Sequence, residues 1–387
     1  TNDTIASDLD GRDGADTASY AASGVAATVT MTSEVLATGQ TGSTVDTLRN
    51  IETFIGTSAG DSFRVNGGSG YNLDGGAEGD LLDLSGYALG GLAAGQLLTV
   101  NLNNLGGFAR FSDGSTTPVT MTLKGIENVT GTARDDYILL DAQANSVNGG
   151  SSGADTADFS HAGAGSPVVV DLTTGNATVG GVVDTLSGIE NLVGGSGSDL
   201  FYGQLSGTTN NVFDGGSAGA DEVSYAKISS GSEFARITLN VDGSATVIGS
   251  AGTSGAIGTD TLRSIEVISG TGTSAGGIGD SFIGFYTGYT LDGGVGSDAL
   301  DLGADLVHVV HRGDLGFEAL AEGVEHHAET FRRALGQPLD AFLHLASGLD
   351  DGLLQGGGEH VAGLHEHFVL FTGTRCGAFE TGGHVGL

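Results

Sequence analysis

Hydrophobic positions along this chain come in short alternating bursts. Leu200-Phe201-Tyr202-Gly203 and Ser281-Phe282-Ile283-Gly284 switch between apolar and small residues around glycine turns. A period of two marks a strand with one buried face. Longer β-branched stretches lie between the bursts, at Val25 to Met31, Leu97 to Leu102, Val168 to Leu172 and Ile237 to Val241. Long apolar runs at 3.6 spacing are absent as far as residue 301, where β-branched residues and glycine dominate. The pattern predicts short strands separated by tight turns, which fits the coils of a parallel β-solenoid better than a sandwich.

The bursts repeat. Three submotifs return in fixed order, the mark of a repeat architecture. The first is a Gly-rich turn that ends in Asp and enters a strand, as in Gly14-Ala15-Asp16-Thr17 and in the turns ending at Asp80, Asp155, Asp221 and Asp298. The second is the β-branched stretch. The third is an Ile-Glu signature at Ile51-Glu52, Ile126-Glu127, Ile189-Glu190 and Ile265-Glu266. Measured from Ile to Ile, the intervals are 75, 63 and 76. The expected fold is therefore all-β, a solenoid of about four 63–76-residue repeats over residues 1–301, each burying its apolar face mainly against its neighbours. Insertions such as Gly90 to Gly95 read as surface loops.

From Leu302 the text changes. Residues 302–387 hold nine of the ten histidines and Cys376, and both the Ile-Glu signature and the glycine turn disappear. Leu315, Leu320, Val324, Phe331 and Leu335 have helical spacing, so a helix is expected over Glu318 to Arg333. The segment reads as a small separate domain, a disordered tail or the product of a shifted reading frame. The sequence leaves these three open.

Composition sharpens the picture. There are 71 Gly and 3 Pro, neither a collagen pattern nor a Pro-rich linker. Glycine at this density implies many turns that need φ > 0. The net charge is 13 − 47 = −34. Nucleic acid and anionic membrane surfaces are not expected as partners of such a chain, because both are bound through Lys and Arg. Self-repulsion on this scale opposes compaction unless cations offset it. The alternative is a merely acidic, salt-adapted surface. One cysteine excludes an intrachain disulfide, and no run of 18 apolar residues offers a transmembrane segment. A chain that starts at Thr1 inside a repeat reads as a piece of something longer.

Acidic turns come in pairs. Asp61 is followed by Asp80 and Asp136 by Asp155, both at an interval of 19. The interval is 22 from Asp199 to Asp221 and 18 from Asp280 to Asp298. The longer interval of the third pair suggests a bulge near Thr208-Thr209-Asn210. Each pair reads as two stacked turns with a divalent cation between them. Calcium takes six to eight oxygen ligands at about 2.3–2.6 Å. One turn supplies carbonyls and a carboxylate, and a second turn stacked above it completes the shell. Gly and Asp are also ordinary turn residues; what singles out this set is four pairs at near-constant spacing.

Gly293-Gly294-Val295-Gly296-Ser297-Asp298-Ala299-Leu300, and less closely Gly75 to Leu82, resemble the glycine-rich nonapeptide of the bacterial RTX (hemolysin-type calcium-binding) proteins. The Ile-Glu-Asn segments resemble the spacers between such nonapeptides in large bacterial repeat proteins. The resemblance covers about three quarters of the chain. The nonapeptides here stand in isolated pairs where the family has uninterrupted runs. The resemblance implies a right-handed β-roll, calcium-dependent folding and an extracellular or cell-surface location in a bacterium. On this footing the expected calcium ligands are Asp61, Asp80, Asp136, Asp155, Asp199, Asp221, Asp280 and Asp298, with Asp74, Asp214 and Asp292 in second place. Asp46, Asp184 and Asp260 read as turn or cap residues, and Glu52, Glu127, Glu190 and Glu266 as outward-facing structural residues.

Catalytic chemistry is not expected. His161 beside Ser160 carries little, because triad members meet in space and not in sequence. His360, His365, Glu366 and His367 match no metalloprotease spacing, and no Gly-Lys-Ser or Gly-Lys-Thr follows a glycine turn. The expected function is a calcium-binding structural or adhesive segment of a secreted bacterial surface protein, of adhesin or surface-layer type. Its partners would be calcium, cell-surface or matrix components, or further copies of itself. Two alternatives stand beside it: the repeat region of a secreted enzyme or toxin whose active domain lies outside this chain, and a fibre-forming extracellular protein.

Overall fold

The computed structural model describes residues 6–301, apart from 89–96, 104–105, 113–118, 205–209, 229–232, 241, 252–255, 273–278, 285–288 and 296–297, together with the pairs 310–311 and 368–369. The helix expected over Glu318 to Arg333, the histidine cluster around His365, Cys376, the loop at Gly90 to Gly95 and the bulge residues Thr208 and Thr209 lie outside the described residues. The chain divides into two compact units, Thr1–Ser196 and Gly197–Leu387. Among the described residues every regular element is a strand, and none is a helix long and apolar enough to cross a membrane.

The first unit opens with β1 (Asp8–Asp10) and β2 (Thr17–Ser19). A three-stranded meander follows, β3 (Ala27–Ser33), β4 (Leu36–Thr41) and β5 (Thr44–Arg49). Four short strands come next, β6 (Thr53–Ile55), β7 (Ser62–Val65), β8 (Asn72–Asp74) and β9 (Leu81–Asp83). The cycle then repeats. The second meander is β10 (Leu97–Asn101), β11 (Gly107–Ser112) and β12 (Val119–Lys124). Its short strands are β13 (Asn128–Thr130), β14 (Asp136–Leu139), β15 (Ser146–Asn148) and β16 (Thr156–Asp158). The third meander is β17 (Val168–Asp171), β18 (Asn176–Val179) and β19 (Val182–Ser187), followed by β20 (Asn191–Val193). Two sheets result, ordered β1-β5-β4-β3-β7-β9-β13-β15-β19-β18-β17 and β2-β6-β8-β12-β11-β10-β14-β16-β20.

In the second unit β21 (Leu200–Tyr202), β22 (Val212–Asp214) and β23 (Glu222–Ser224) precede the meander β24 (Glu233–Leu239), β25 (Ala245–Ala251) and β26 (Ala256–Arg263). Then come β27 (Val267–Ser269), β28 (Ser281–Gly284), β29 (Thr290–Asp292) and β30 (Ala299–Asp301). The sheets here run β21-β23-β27-β29 and β22-β26-β25-β24-β28-β30.

Short strands alternate between the two sheets of their unit and pair in parallel with the strand two steps away. The spacing of the paired aspartates is the register of these pairings. Ser62 lies beside Leu81, Tyr137 beside Thr156, Leu200 beside Glu222 and Ser281 beside Ala299. These register mates repeat the aspartate intervals of 19, 19, 22 and 18. The middle residue of each three-residue strand except β1 points inward, as period two requires. In the first unit one file of register mates runs Val29, Phe63, Leu82, Val129, Val147 and Leu186, each buried. Each such side chain contributes about 1.5–3 kcal/mol by leaving water.

Parallel pairing dominates, and the meanders are the departure from the all-parallel stack expected. Their turns explain them. Val179 faces Val182 across Gly180-Gly181, whose φ values are 57° and 91°. Two left-handed residues in a two-residue loop turn a strand back on itself with the right twist. Gly42 and Gly243, with φ of 62° and 82°, lie in reversals of the first and fourth meanders.

Candidate functional site

All eight aspartates of the four pairs are buried, none more than 3% exposed. They are not merely adjacent. The backbone N–H of Asp61 donates to Oδ1 of Asp80 at 2.6 Å. Asp136 donates in the same way to Asp155 at 2.8 Å, Asp199 to Asp221 at 2.7 Å and Asp280 to Asp298 at 2.7 Å. The N–H of the second aspartate is met in turn by the Ile-Glu glutamate. Asp80 donates to Oε2 of Glu127 at 3.0 Å, Asp155 to Glu190 at 3.0 Å and Asp221 to Glu266 at 2.9 Å. Asp16 donates to Glu52 at 2.9 Å. At the other end of the file, Oδ1 of Asp61 accepts the N–H of Ala27 and Oδ1 of Asp280 that of Ala235, both on the first strand of a meander.

The file from Glu127 through Asp80 and Asp61 to Ala27 is thus a relay of carboxylates, each holding the backbone of the next step. The glutamates expected to face outward are corrected here: they close the file. A buried amide without an acceptor costs about 1–3 kcal/mol, so these turns need the acids where they stand. Threonine adds a further donor at the first aspartate. Thr57 Oγ1 reaches Asp61 at 2.9 Å and Thr132 Oγ1 reaches Asp136 at 3.0 Å, each also giving its N–H, and Thr271 serves Asp280 likewise. In the sequence this contact shows only as the recurring Gly-Thr, with Thr57 and Thr132 each four residues before Asp61 and Asp136.

Glycine clears the way. A Cβ on Gly75 would lie 2.0 Å from the Gly125 carbonyl and 2.4 Å from Oδ2 of Asp80. On Gly149 it would lie 2.0 Å from the Gly188 carbonyl and 2.3 Å from Oδ2 of Asp155. These glycines are required by the approach of the neighbouring backbone and of the buried acid.

Burial governs the charge state. It pushes Asp80 up to about 7, with the carboxylates of Asp61 and Glu127 adding to the shift and the Asp61 N–H opposing it. Asp155 rises to about 8 for the same reasons, and Asp136, Asp221 and Asp298 to about 6. Asp280 is raised, again chiefly by burial. Oδ2 of Asp80 and of Asp298 is buried with no hydrogen-bond partner.

The second-choice aspartates sit apart. Asp74 is paired with Lys124 at 2.7 Å, and Asp214 and Asp292 each accept the N–H two residues on, from Gly216 and Gly294. Among the described residues no group of three or more His, Cys, Asp or Glu side chains is placed to hold a metal ion. Within each pair an N–H donor occupies one oxygen of the second acid, so the carboxylates alone do not make a calcium shell.

A second polar element joins neighbouring steps. Asp184 Oδ1 accepts the N–H of Asn145 at 2.8 Å, and Asp260 Oδ1 accepts both the N–H and Nδ2 of Asn211 at 3.0 and 2.9 Å. The buried Tyr225 hydroxyl donates to Asp260 Oδ2 at 2.8 Å. Asp46 receives the Ser7 N–H at 2.9 Å. These aspartates, expected at turns or caps, stand instead inside strands β5, β19 and β26, where each binds the step beside it. No protein-family model matches the chain, and no curated protein sequence matches it.

Proposed function

We propose that this chain is a structural or adhesive repeat segment of a secreted bacterial surface protein, folded as a right-handed β-solenoid whose steps are pinned by buried carboxylates. The observation that carries this reading is the relay from Glu127 through Asp80 and Asp61 to Ala27, and its recurrence along the chain. The recurring buried acids serve the backbone, and their arrangement supplies stiffness.

A second reading adds calcium, as resemblance to the RTX proteins suggests. It is favoured by the partnerless buried oxygens of Asp80 and Asp298 and by the net charge of −34. Ligands beyond the carboxylates would then come from turn carbonyls. Far-UV circular dichroism during a calcium titration, with magnesium as control, separates the two. A β spectrum already complete in chelator and indifferent to calcium supports carboxylate pinning alone. A calcium-specific rise in β signal that is lost on combining Asp280→Asn with Asp298→Asn supports the second. An unfolded chain under both conditions overturns both.

A further inference from the structure

One polar groove in the first unit belongs to no carboxylate file. It has a volume of about 490 Å³ and is lined by Asn101, Asn103, Asp141, Gln143, Ser160 and His161, with Leu139 and Leu140 at its floor. Three stretches build it: the end of β10, the turn after β14 and the turn after β16. The size lies in the range of small-molecule sites.

Comparison of repeats shows why the space is open. Tyr87 and Ala162 hold the same turn position, each donating its N–H to the residue three back, Leu84 and Phe159. In the first repeat the Tyr87 ring stacks on Phe111 with centroids 4.3 Å apart, and its hydroxyl donates to the Gly68 carbonyl of the neighbouring turn at 3.1 Å. A ring therefore ties the two turns together. In the second repeat the residue is alanine, and no ring crosses to the turn at 141–143.

The lining is short, planar and polar. Asn101 Oδ1 holds the Asn103 N–H at 2.9 Å, and Asp141 Oδ1 holds the Gln143 N–H at 2.8 Å, which fixes both turns. Amides, a carboxylate, a hydroxyl and an imidazole offer donors and acceptors side by side. Burial holds the His161 imidazole below its ordinary value, against the pull of Asp141 and Asp158, so near neutral pH it offers one donor and one acceptor.

We propose that this groove binds a neutral sugar unit, each hydroxyl of which both gives and takes a hydrogen bond as the lining does. The Asp141 carboxylate in the lining disfavours acidic sugars. Among the described residues of the lining there is no Phe, Tyr or Trp ring to stack on a sugar face, so the affinity for one unit is weak. The assignment goes beyond the structural reading above and is independent of calcium.

The test is saturation-transfer difference NMR on the full chain, with glucose, galactose, mannose and N-acetylglucosamine as probes and glucuronate as the acidic control. Transfer is expected to at least one neutral sugar and not to glucuronate. Gln143→Ala and His161→Ala, at positions that reach solvent although the imidazole is partly desolvated, are each expected to weaken it about tenfold, the effect of one lost hydrogen bond. Gln40→Ala, on an exposed strand position elsewhere, should leave it unchanged. The far-UV spectrum of each variant checks folding, and if one variant unfolds the other decides. No transfer to any neutral sugar, transfer equal in both groove variants and the parent, or equal transfer to glucuronate overturns the assignment.

Discussion

Two joins in the first unit solve the same problem with opposite chemistry. Where β15 meets β19, Asn145 and Asp184 form a buried polar pair. Where β8 meets β12, the equivalent positions hold Tyr71 and Met121, 2% and 0% exposed. The backbone bond beside them is the same, Thr185 to Asn145 and Thr122 to Tyr71, both 2.9 Å. The backbone geometry therefore does not depend on the polar pair. A buried polar pair that could be replaced by apolar residues contributes little net stability, yet losing one partner is costly. What Asn145 and Asp184 add is discrimination: only a step carrying the matching partner fits.

The largest expected effect comes from forcing the wrong partner. Met121→Asp buries an acid opposite Tyr71 and should cost about 3–5 kcal/mol, read from the urea midpoint. Adding Tyr71→Asn should return part of it; no recovery would mean that the two positions do not communicate. Asp184→Met alone should cost less, about 1–3 kcal/mol, by leaving the Asn145 amide unanswered. Asn145→Tyr added to it should again recover stability.

The smallest difference between variants is in the pH dependence. Burial raises Asp184, and it raises Asp80 and Asp155 to about 7 and 8. A carboxyl raised in the folded state binds its proton more tightly there than in the unfolded chain. The stability it lends is full below the ordinary value near 4 and is lost as pH rises through the folded value. In chelator the urea midpoint should therefore fall between about pH 4 and pH 8. The slope should be slightly shallower in the Asn145→Tyr, Asp184→Met double variant, which removes one such group. A midpoint that rises over this range would show that these acids are charged in the fold and stabilise it as anions.

Much of the architecture was legible because backbone register writes itself into spacing. The aspartate intervals of 18, 19 and 22 are strand register, and period two located the inward side chains. The meanders were harder to see. Val179-Gly180-Gly181-Val182 signals a tight reversal, but a parallel stack also needs glycine at its corners, so the two uses of glycine look alike in sequence. The pairing of the aspartates on stacked turns was legible in their regular spacing, but their burial was not. That they would hold backbone amides, and that Glu127 and Glu190 would close the files, was not. A carboxylate that accepts an N–H across a register of 35 or 47 residues leaves no local trace.

Each full cycle of the first unit takes five steps, one meander and four short strands, and the chain changes sheet at every step. Five is odd. The meander β3–β5 accordingly lies in one sheet, β10–β12 in the other, and β17–β19 back in the first. The carboxylate files change edge with them. Sidedness in this fold is a matter of parity. Inserting or deleting a single cycle would turn everything downstream onto the opposite face, whereas two cycles would restore it. Growth by duplication in pairs keeps a displayed surface where it was, and growth by single cycles exposes it alternately on both sides.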